Sequence, residues 1–215
     1  MATLTTLKAK ILLPFGSTAS TFLPDSERET ALIAAIQEVE GSVPDRALKS
    51  MNYVDISTPT STVSSVAMPA DFLRLRGINV IESNAAYGRY FDIKDEDYLR
   101  ETKRHEGNLA LDDTLTRIAA PGINSGLPSS TVLINYSLYP SIPLNRTIGI
   151  DYIRKATITG TMSLPSNDPD LQEMAVWKAI EICTAKKARW LDIMQEYGNL
   201  YAKGLERVRA DYGNA

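Results

Sequence analysis

The sequence is poor in the residues that most catalytic and metal sites need. It has one cysteine, Cys183, and one histidine, His105. A single cysteine cannot form an internal disulfide, which excludes a small secreted fold held together by disulfides. A single histidine in the charged stretch 103–106 lacks the partners of a catalytic triad or of a histidine-based zinc site. We therefore interpret Cys183 as a packing residue of a helix and His105 as a surface residue.

The chain also lacks an excess of positive charge and a long apolar run. It has 23 lysines and arginines against 26 aspartates and glutamates, a net charge of −3. Tight sequence-independent binding of DNA needs cations that displace counterions, so we do not expect it here. The apolar run at residues 11–13 is too short for a secretory signal, and no stretch approaches the roughly 20 apolar residues of a membrane span. We expect a protein that is made in a cytoplasm.

Nucleotide-binding glycine motifs are missing, and the acidic clusters have simple structural explanations. We interpret residues 95–97 as a solvated helix face, Asp112 and Asp113 as a turn, and Asp168 with Asp170 as a helix cap. The sequence therefore predicts no catalytic residues, no cofactor and no metal. A carboxylate-dependent enzyme built on Asp112 and Asp113 remains an alternative that would need a concave pocket.

The first part of the chain predicts a pair of helices. Residues 3–13 place apolar side chains on one side, and residues 26–40 show the same spacing more clearly. Ser26 and Glu29 have the spacing of a capping box, in which each side chain accepts a hydrogen bond from the other's backbone N–H. Gly41 ends the second helix.

The middle of the chain predicts strands, because β-branched residues and period-two alternation dominate it. Residues 52–57 and 62–68, joined by a turn, predict a hairpin. Further strands are predicted at residues 72–81, 131–138, 146–154 and 156–162. A short surface helix is predicted at residues 94–104 with Asp95 as its N-cap. Residues 105–130 are rich in glycine and proline and predict a long loop, with a helical turn at residues 111–119.

The last part of the chain returns to helix at Asp168, where Pro169 occupies the first helical position. The apolar positions that follow cover more than one stripe, which predicts a helix buried on two sides. We prefer two helices to one over residues 170–212, with a break near residues 188–192. An apolar stripe then recurs every three or four residues. Its members are Trp190, Met194, Tyr197, Tyr201, Leu205, Val208 and Tyr212.

This stripe has two interpretations, which can both hold if its inner half packs and its last turns project. It can pack on the chain's own helices, or it can dock on a partner, because tyrosine and tryptophan are enriched at interface hot spots. The basic residues nearby form either a solvated face or a partner contact. They are Lys186, Lys187, Arg189, Arg207 and Arg209.

Together these patterns predict an α+β fold: a helical bundle with a central antiparallel β platform or barrel. Residues 1–45 supply the N-terminal helices of the bundle. Residues 46–165 form the β-rich platform with the long loop at 105–130, and residues 166–215 complete the helical core and end in a docking tail.

The order of these parts, with three short runs, resembles the head-to-tail adaptor proteins of tailed bacteriophages, also called connector or gatekeeper ring proteins. The runs are residues 68–75 (MPADFLRL), residues 150–155 (IDYIRK) and residues 168–171 (DPDL). The first two look like recurring elements of that group. The pattern spans about residues 4–212.

The resemblance implies a structural virion protein, made in the host cytoplasm, that forms a homo-oligomeric ring, commonly a dodecamer, below the portal protein. DNA passes through such a ring as cargo, and a tail or nozzle protein attaches to it. By position, residues 201–215 would face the portal, and the loop at 105–130 could face the tail component. The portal-docking residues implied are Tyr201, Leu205, Arg207, Val208, Arg209 and Tyr212. The alternatives are a monomeric protein-binding module that uses a β edge and the carboxylate-dependent enzyme described above.

Overall fold

A computed structural model of the chain describes residues 3–16, 22–81, 89–107, 117–123, 134–144, 146–156, 168–185 and 187–213. Five α-helices and seven strands lie in this part of the chain. The helices are α1 (Leu4–Ile11), α2 (Asp25–Ser42), α3 (Glu96–Glu106), α4 (Pro169–Thr184) and α5 (Leu191–Gly213). The strands are β1 (Asn52–Ser57), β2 (Val63–Ala67), β3 (Phe72–Ile81), β4 (Arg89–Ile93), β5 (Ile118–Ile123), β6 (Ile134–Ile142) and β7 (Thr147–Arg154).

The chain divides into two compact units. The helical unit joins Met1–Met51 to Lys155–Ala215, and the β unit is Asn52–Arg154. The predicted α+β class with a central β platform is therefore confirmed. Residues 46–51, which the sequence assigned to the platform, belong to the helical unit because the short 3₁₀ segment Asp45–Met51 packs against α5.

Helix α4 is the centre of the helical unit. It packs against α1, α2 and α5, and this explains why its apolar side chains cover more than one stripe, as predicted. Asp168 caps it by accepting a hydrogen bond from the Asp170 backbone N–H at 2.9 Å. The buried side chains of α4 are Leu171, Met174, Ala175, Val176, Ala179, Ile180, Cys183 and Thr184. A 3₁₀ turn at Ala188–Trp190 separates α4 from α5, so the predicted break is confirmed.

The predicted capping box at Ser26 and Glu29 is wrong. Helix α2 begins one residue earlier, at Asp25, and its cap residue Pro24 makes no side-chain hydrogen bond to the helix. Ser26 therefore lies inside the first turn, where its carbonyl oxygen accepts a hydrogen bond from the Thr30 hydroxyl at 2.9 Å. The Glu29 carboxylate instead accepts a hydrogen bond from Lys8 of α1, also at 2.9 Å.

The β unit is one seven-stranded sheet with the order β1-β7-β3-β4-β5-β6-β2. Its strand pairs are antiparallel except β4 and β5, which are parallel, so the platform is a mixed sheet rather than the antiparallel one predicted. Its main core consists of apolar side chains from six strands and from Met68, the residue after β2. They are Val66, Met68, Phe72, Ile78, Val80, Phe91, Ala119, Leu138, Ile142, Ile148, Ile150 and Tyr152.

The predicted hairpin between residues 52–57 and 62–68 is wrong. β1 pairs with β7, from Asn52 opposite Ile153 to Ser57 opposite Ile148, and β2 pairs with β6. The two strands thus lie at opposite ends of the sheet order. The connection between them has Pro59 but no Asn-Gly or Asp-Gly turn, the residues that favour a tight hairpin. β7 offers the apolar residues Ile148, Ile150 and Tyr152 as cross-strand partners instead.

The predicted loop at 105–130 is also wrong as a continuous segment. α3 continues to Glu106, with Asp95 as its N-cap as predicted, and β5 occupies Ile118–Ile123. β5 pairs with β4 on one side and β6 on the other, and its residues Ile118, Ala119 and Ala120 are buried. The helical turn at 111–119 is therefore wrong for its last three residues, because Arg117 is not helical and Ile118 and Ala119 belong to β5. Residues 111–116 lie outside the described part. The predicted strand at 156–162 lies outside it as well, except for Ala156, which is not in a strand.

The Lys8 side chain joins α1 to α2. The Lys8 amine lies 2.6 Å from Asp25 Oδ2 and 2.9 Å from Glu29 Oε2. The hydrogen bond to Asp25 raises the pKa of Lys8 above its ordinary value, and the same contact lowers the pKa of Asp25. A carboxyl whose pKa is lowered by folding stabilises the fold above its unfolded pKa, and this contribution disappears as the pH falls through the folded pKa. An amine whose pKa is raised stabilises below its unfolded pKa and loses that contribution at high pH.

We therefore expect Lys8→Met to lower the stability of the protein between about pH 4 and about pH 10. The urea midpoint of Lys8→Met should lie below that of the parent at pH 7, and the gap should narrow as the pH falls below about 4. Lys10→Met, at an exposed position of the same helix, is the matched control and should change little. A gap between Lys8→Met and the parent that stays the same at pH 3 would contradict the ion-pair assignment.

Candidate interaction surfaces

The C-terminal stripe is mostly a packing surface of the helical unit. Tyr201 is 7% exposed and Val208 is 4% exposed. The Lys178 amine lies 5.1 Å from the centre of the Tyr201 ring, and burial raises the pKa of the Tyr201 hydroxyl. A side chain on Gly204 would contact Met174 and Trp177 of α4 at 3.0 to 3.1 Å, so this glycine permits the close approach of α5. Tyr201 and Val208, two of the predicted portal-docking residues, are therefore covered by the chain's own packing.

The other predicted docking residues differ in what they offer a partner. Leu205 is half-buried, and Arg207 forms an ion pair with Asp170 at 2.5 Å. Arg209 donates a hydrogen bond to the Ser42 carbonyl oxygen at 3.4 Å. Tyr212 is 39% exposed. The end of α5 thus keeps one exposed aromatic side chain flanked by arginines that already have contacts within the helical unit.

A second surface, which the sequence did not predict, lies at the other end of α5. We call it the aromatic–arginine patch and define it as Leu13, Phe15, Phe22, Arg189, Trp190 and Leu191. Its rings contact one another: the Phe15 and Trp190 centroids are 4.7 Å apart, and those of Phe22 and Trp190 are 6.5 Å apart. Leu13, Phe22 and Leu191 are among the large apolar side chains that remain exposed, Leu13 at 77%.

The guanidinium of Arg189 lies between two rings of this patch. Its Cζ atom is 4.2 Å from the Phe22 centroid and 4.4 Å from the Trp190 centroid, the geometry of cation–π stacking. Nearby Lys187 is held in place, because its amine pairs with Glu27 at 3.0 Å and donates to the Phe22 carbonyl oxygen at 3.0 Å. Within the described residues, Arg189 forms no ion pair, so its N–H groups remain available for a carboxylate.

Two 3₁₀ turns build the patch, and this is why sequence patterns missed it. Leu13–Phe15 follows α1, and Ala188–Trp190 follows α4. The sequence placed Trp190 in the C-terminal stripe and Arg189 on a basic face. The signal available in the sequence was the apolar run around Pro14. This run directly follows α1, an amphipathic helix whose own apolar side is already buried.

The third surface is the edge strand β1 of the β unit. All six of its residues are exposed, including Tyr53 at 48% and Ile56 at 60%. The Tyr53 ring meets the Tyr152 ring edge to face at 5.8 Å, and the Arg154 guanidinium lies 5.6 Å from the Tyr53 centroid. Exposed apolar residues gathered on one strand are typical of interaction sites rather than of ordinary protein surface.

The histidine, the cysteine and the acidic residues that we considered as candidate chemical groups have the following surroundings. His105 is exposed on α3, 3.9 Å from Glu101. Burial raises the pKa of the Cys183 thiol to about 11. Asp95 and Asp168 cap helices. In the part of the chain that the structure describes, no group of three or more histidine, cysteine, aspartate or glutamate residues could hold a metal ion.

Asp112 and Asp113, the pair on which the enzyme alternative rests, lie outside the described residues. A groove of about 200 Å³ between α4 and α5 has Met174, Trp177 and Leu200 among its lining residues, and the Arg207–Asp170 ion pair lines it as well.

None of the helices in the described ranges combines the length and the apolar character needed to cross a membrane.

Comparison with known proteins finds no match for the chain. No family model matches the sequence, and no curated protein matches it either. Three surfaces of the described residues are the candidates for contact with other molecules: the exposed end of α5, the aromatic–arginine patch and the β1 edge.

The two tyrosines at the ends of the stripe should respond differently to truncation. Tyr201→Ala should lower the free energy of unfolding by about 3 kcal/mol, because it empties a buried ring site. Tyr212→Ala, the matched control on the same helix, should stay within about 0.5 kcal/mol of the parent. Urea unfolding monitored by circular dichroism measures both. Equal losses for the two variants would show that the division of the stripe into a packed and an exposed part is wrong.

Proposed function

We propose that the chain is a structural adaptor of a tailed-bacteriophage virion, a subunit of a ring at the head-to-tail junction. The ring would bind the portal protein on one side and a tail or nozzle protein on the other, and DNA would pass through it as cargo. The resemblance of the sequence to adaptor proteins supports this proposal, and so do the α+β fold and the surfaces described above.

The observation that carries the proposal is that exposed apolar and aromatic side chains gather at more than one place on the chain. The β1 edge lies in the β unit, and the aromatic–arginine patch lies in the helical unit. A twofold dimer uses the same surface on both copies, whereas a ring joins two different surfaces of each subunit. A ring that also holds a portal and a tail protein needs further surfaces, and the end of α5 and the aromatic–arginine patch supply them.

The two ends of α5 are well separated. Its 23 residues span about 34 Å, with Leu191 of the aromatic–arginine patch at one end and Tyr212 near the other. We assign the Tyr212 end, with Leu205, Arg207 and Arg209, to the portal. Tyr201 and Val208 would act indirectly, by fixing the inner side of the helix against its own unit.

The aromatic–arginine patch has the composition of a protein-binding hot spot. Tryptophan and arginine dominate such sites, and a guanidinium already stacked between rings loses little further freedom when it binds a carboxylate. We assign this patch to the tail-side protein neighbour in the junction. The net charge of −3 suits a channel wall that lets DNA pass, because it does not favour the release of counterions from DNA.

One alternative is supported by a specific observation. The exposed β1 strand also suits a monomeric module that captures an extended peptide by strand addition. Such a module would bind one peptide per chain and would remain a monomer beside the portal protein.

The experiment that tests the proposal combines the purified chain with the portal protein of the same phage and measures the mass of the complex. We expect many copies of the chain on each portal ring. When the tail-side neighbour is then added to this complex, Arg189→Glu should weaken its binding by at least tenfold. The fold should persist, because Arg189 is exposed. Lys10→Glu makes the same charge change elsewhere in the helical unit and should have little effect.

A chain that stays monomeric in the presence of the portal protein and binds a single extended peptide would favour the module. Equal weakening by Arg189→Glu and Lys10→Glu would show that general charge, rather than the aromatic–arginine patch, governs recruitment.

A further inference from the structure

The sheet of the β unit ends in two strands that differ in sequence. β1 and β2 are the first and last strands in its order, and each pairs with one strand only among the described residues. An edge strand directs the N–H and C=O groups of every second residue away from the sheet, where another chain can pair with them. One copy of the chain therefore carries two different edges of similar length, six residues in β1 and five in β2.

β1 has none of the features that commonly prevent pairing, and β2 has one of them, an irregular register at its start. Protective edges carry lysine, proline or several charges. β1 contains no proline or lysine, and Asp55 is its only charged residue. β2 contains no charged residue and no proline. Its pairing with β6 shifts register between Val63 and Ser65, which leaves Ser65, Val66 and Ala67 in regular pairing.

We infer that neighbouring subunits are joined by strand addition, with β1 of one copy pairing with β2 of the next. This inference rests on the proposed ring and specifies its subunit contact. Repeated around the ring, the contact would make the seven-stranded sheets of all subunits continuous. Tyr53 of β1, which pairs with the core residue Tyr152, would then share a face of the sheet with Val66 of β2, an aromatic and β-branched pair of the kind that stabilises strand pairs.

Charge and symmetry favour β2, rather than a second β1, as the strand that pairs with β1. Pairing of β1 with β1 would be twofold and would end at a dimer. In the register centred on Asp55, that pairing would also set Asp55 directly against its own copy, which is unfavourable. β2 is uncharged and accepts the Asp55-bearing strand without repulsion. The pairing of two different edges leaves one edge of each kind free at every step, as ring growth requires.

The small size of the contact predicts when it forms. A strand of five or six residues is only about 17–20 Å long, whereas a stable interface buries about 800 Å² on each partner. Edge pairing alone is therefore too weak to hold two free copies together in dilute solution. The portal would bring the copies side by side, and the edges would then pair.

Engineered cysteines test this contact directly, because the chain has one natural cysteine, which is buried and has a pKa of about 11. That thiol should react slowly. Ile56→Cys in β1 and Ser65→Cys in β2 both replace exposed residues. The double variant, assembled on the portal and treated with a short bis-maleimide, should give a ladder of covalent oligomers on a denaturing gel. A mixture of the two single variants should give dimers only, and each single variant alone should remain monomeric.

Two outcomes would overturn the inference while leaving the ring intact. Rings that assemble on the portal without any ladder would show that other surfaces join the subunits. Dimers from Ile56→Cys alone would show twofold pairing of β1 with itself. Failure of the parent chain to form a ring on the portal would overturn the proposed function and, with it, the contact. Thermal unfolding of each variant, expected to match the parent, controls for the fold.

Discussion

The burial of a single helix holds the helical unit together. The apolar side chains of α4 point in several directions, and α1, α2 and α5 cover them. Full burial of one large aliphatic side chain contributes about 1.5–3 kcal/mol, so this contact can close a unit from two segments that the whole β unit separates in sequence. Because Gly204 lets α5 lie directly on Met174 and Trp177, the inner side of α5 is committed to packing. The outer side of α5 and its two ends are therefore the parts of this helix that we consider for contact with other chains.

The features that sequence predicted well depend on residues close together in the chain. Asp95 and Asp168 cap helices through bonds to residues two or three positions away, and the break before α5 follows from local composition. Strand partners depend on distant residues, so the predicted hairpin was wrong. β5 was missed for the same reason: Pro121 and Gly122 are local loop signals, yet neighbours on both sides hold this segment as a strand.

Periodicity identifies which side chains share one side of a helix, but it does not show how many of them the rest of the protein buries. Tyr201 and Tyr212 belong to one stripe, yet one is buried and the other exposed. The aromatic–arginine patch is not visible as a periodic pattern, because packing brings Phe22 to Arg189 and Phe15 to Trp190 from distant parts of the chain. The β1 edge became visible only once β7 was known to be its partner. Our proposal that the chain assembles with other chains rests on these surfaces.

The most direct test of the adaptor account is single-particle electron microscopy of the phage particle in which we propose that this chain resides, with density resolved at the head-to-tail junction. The account predicts a ring of this protein between portal and tail, with the Tyr212 end of α5 against the portal and the sheets of neighbouring subunits edge to edge. A junction built entirely from other proteins, with this chain elsewhere in the particle or absent from it, would contradict the account.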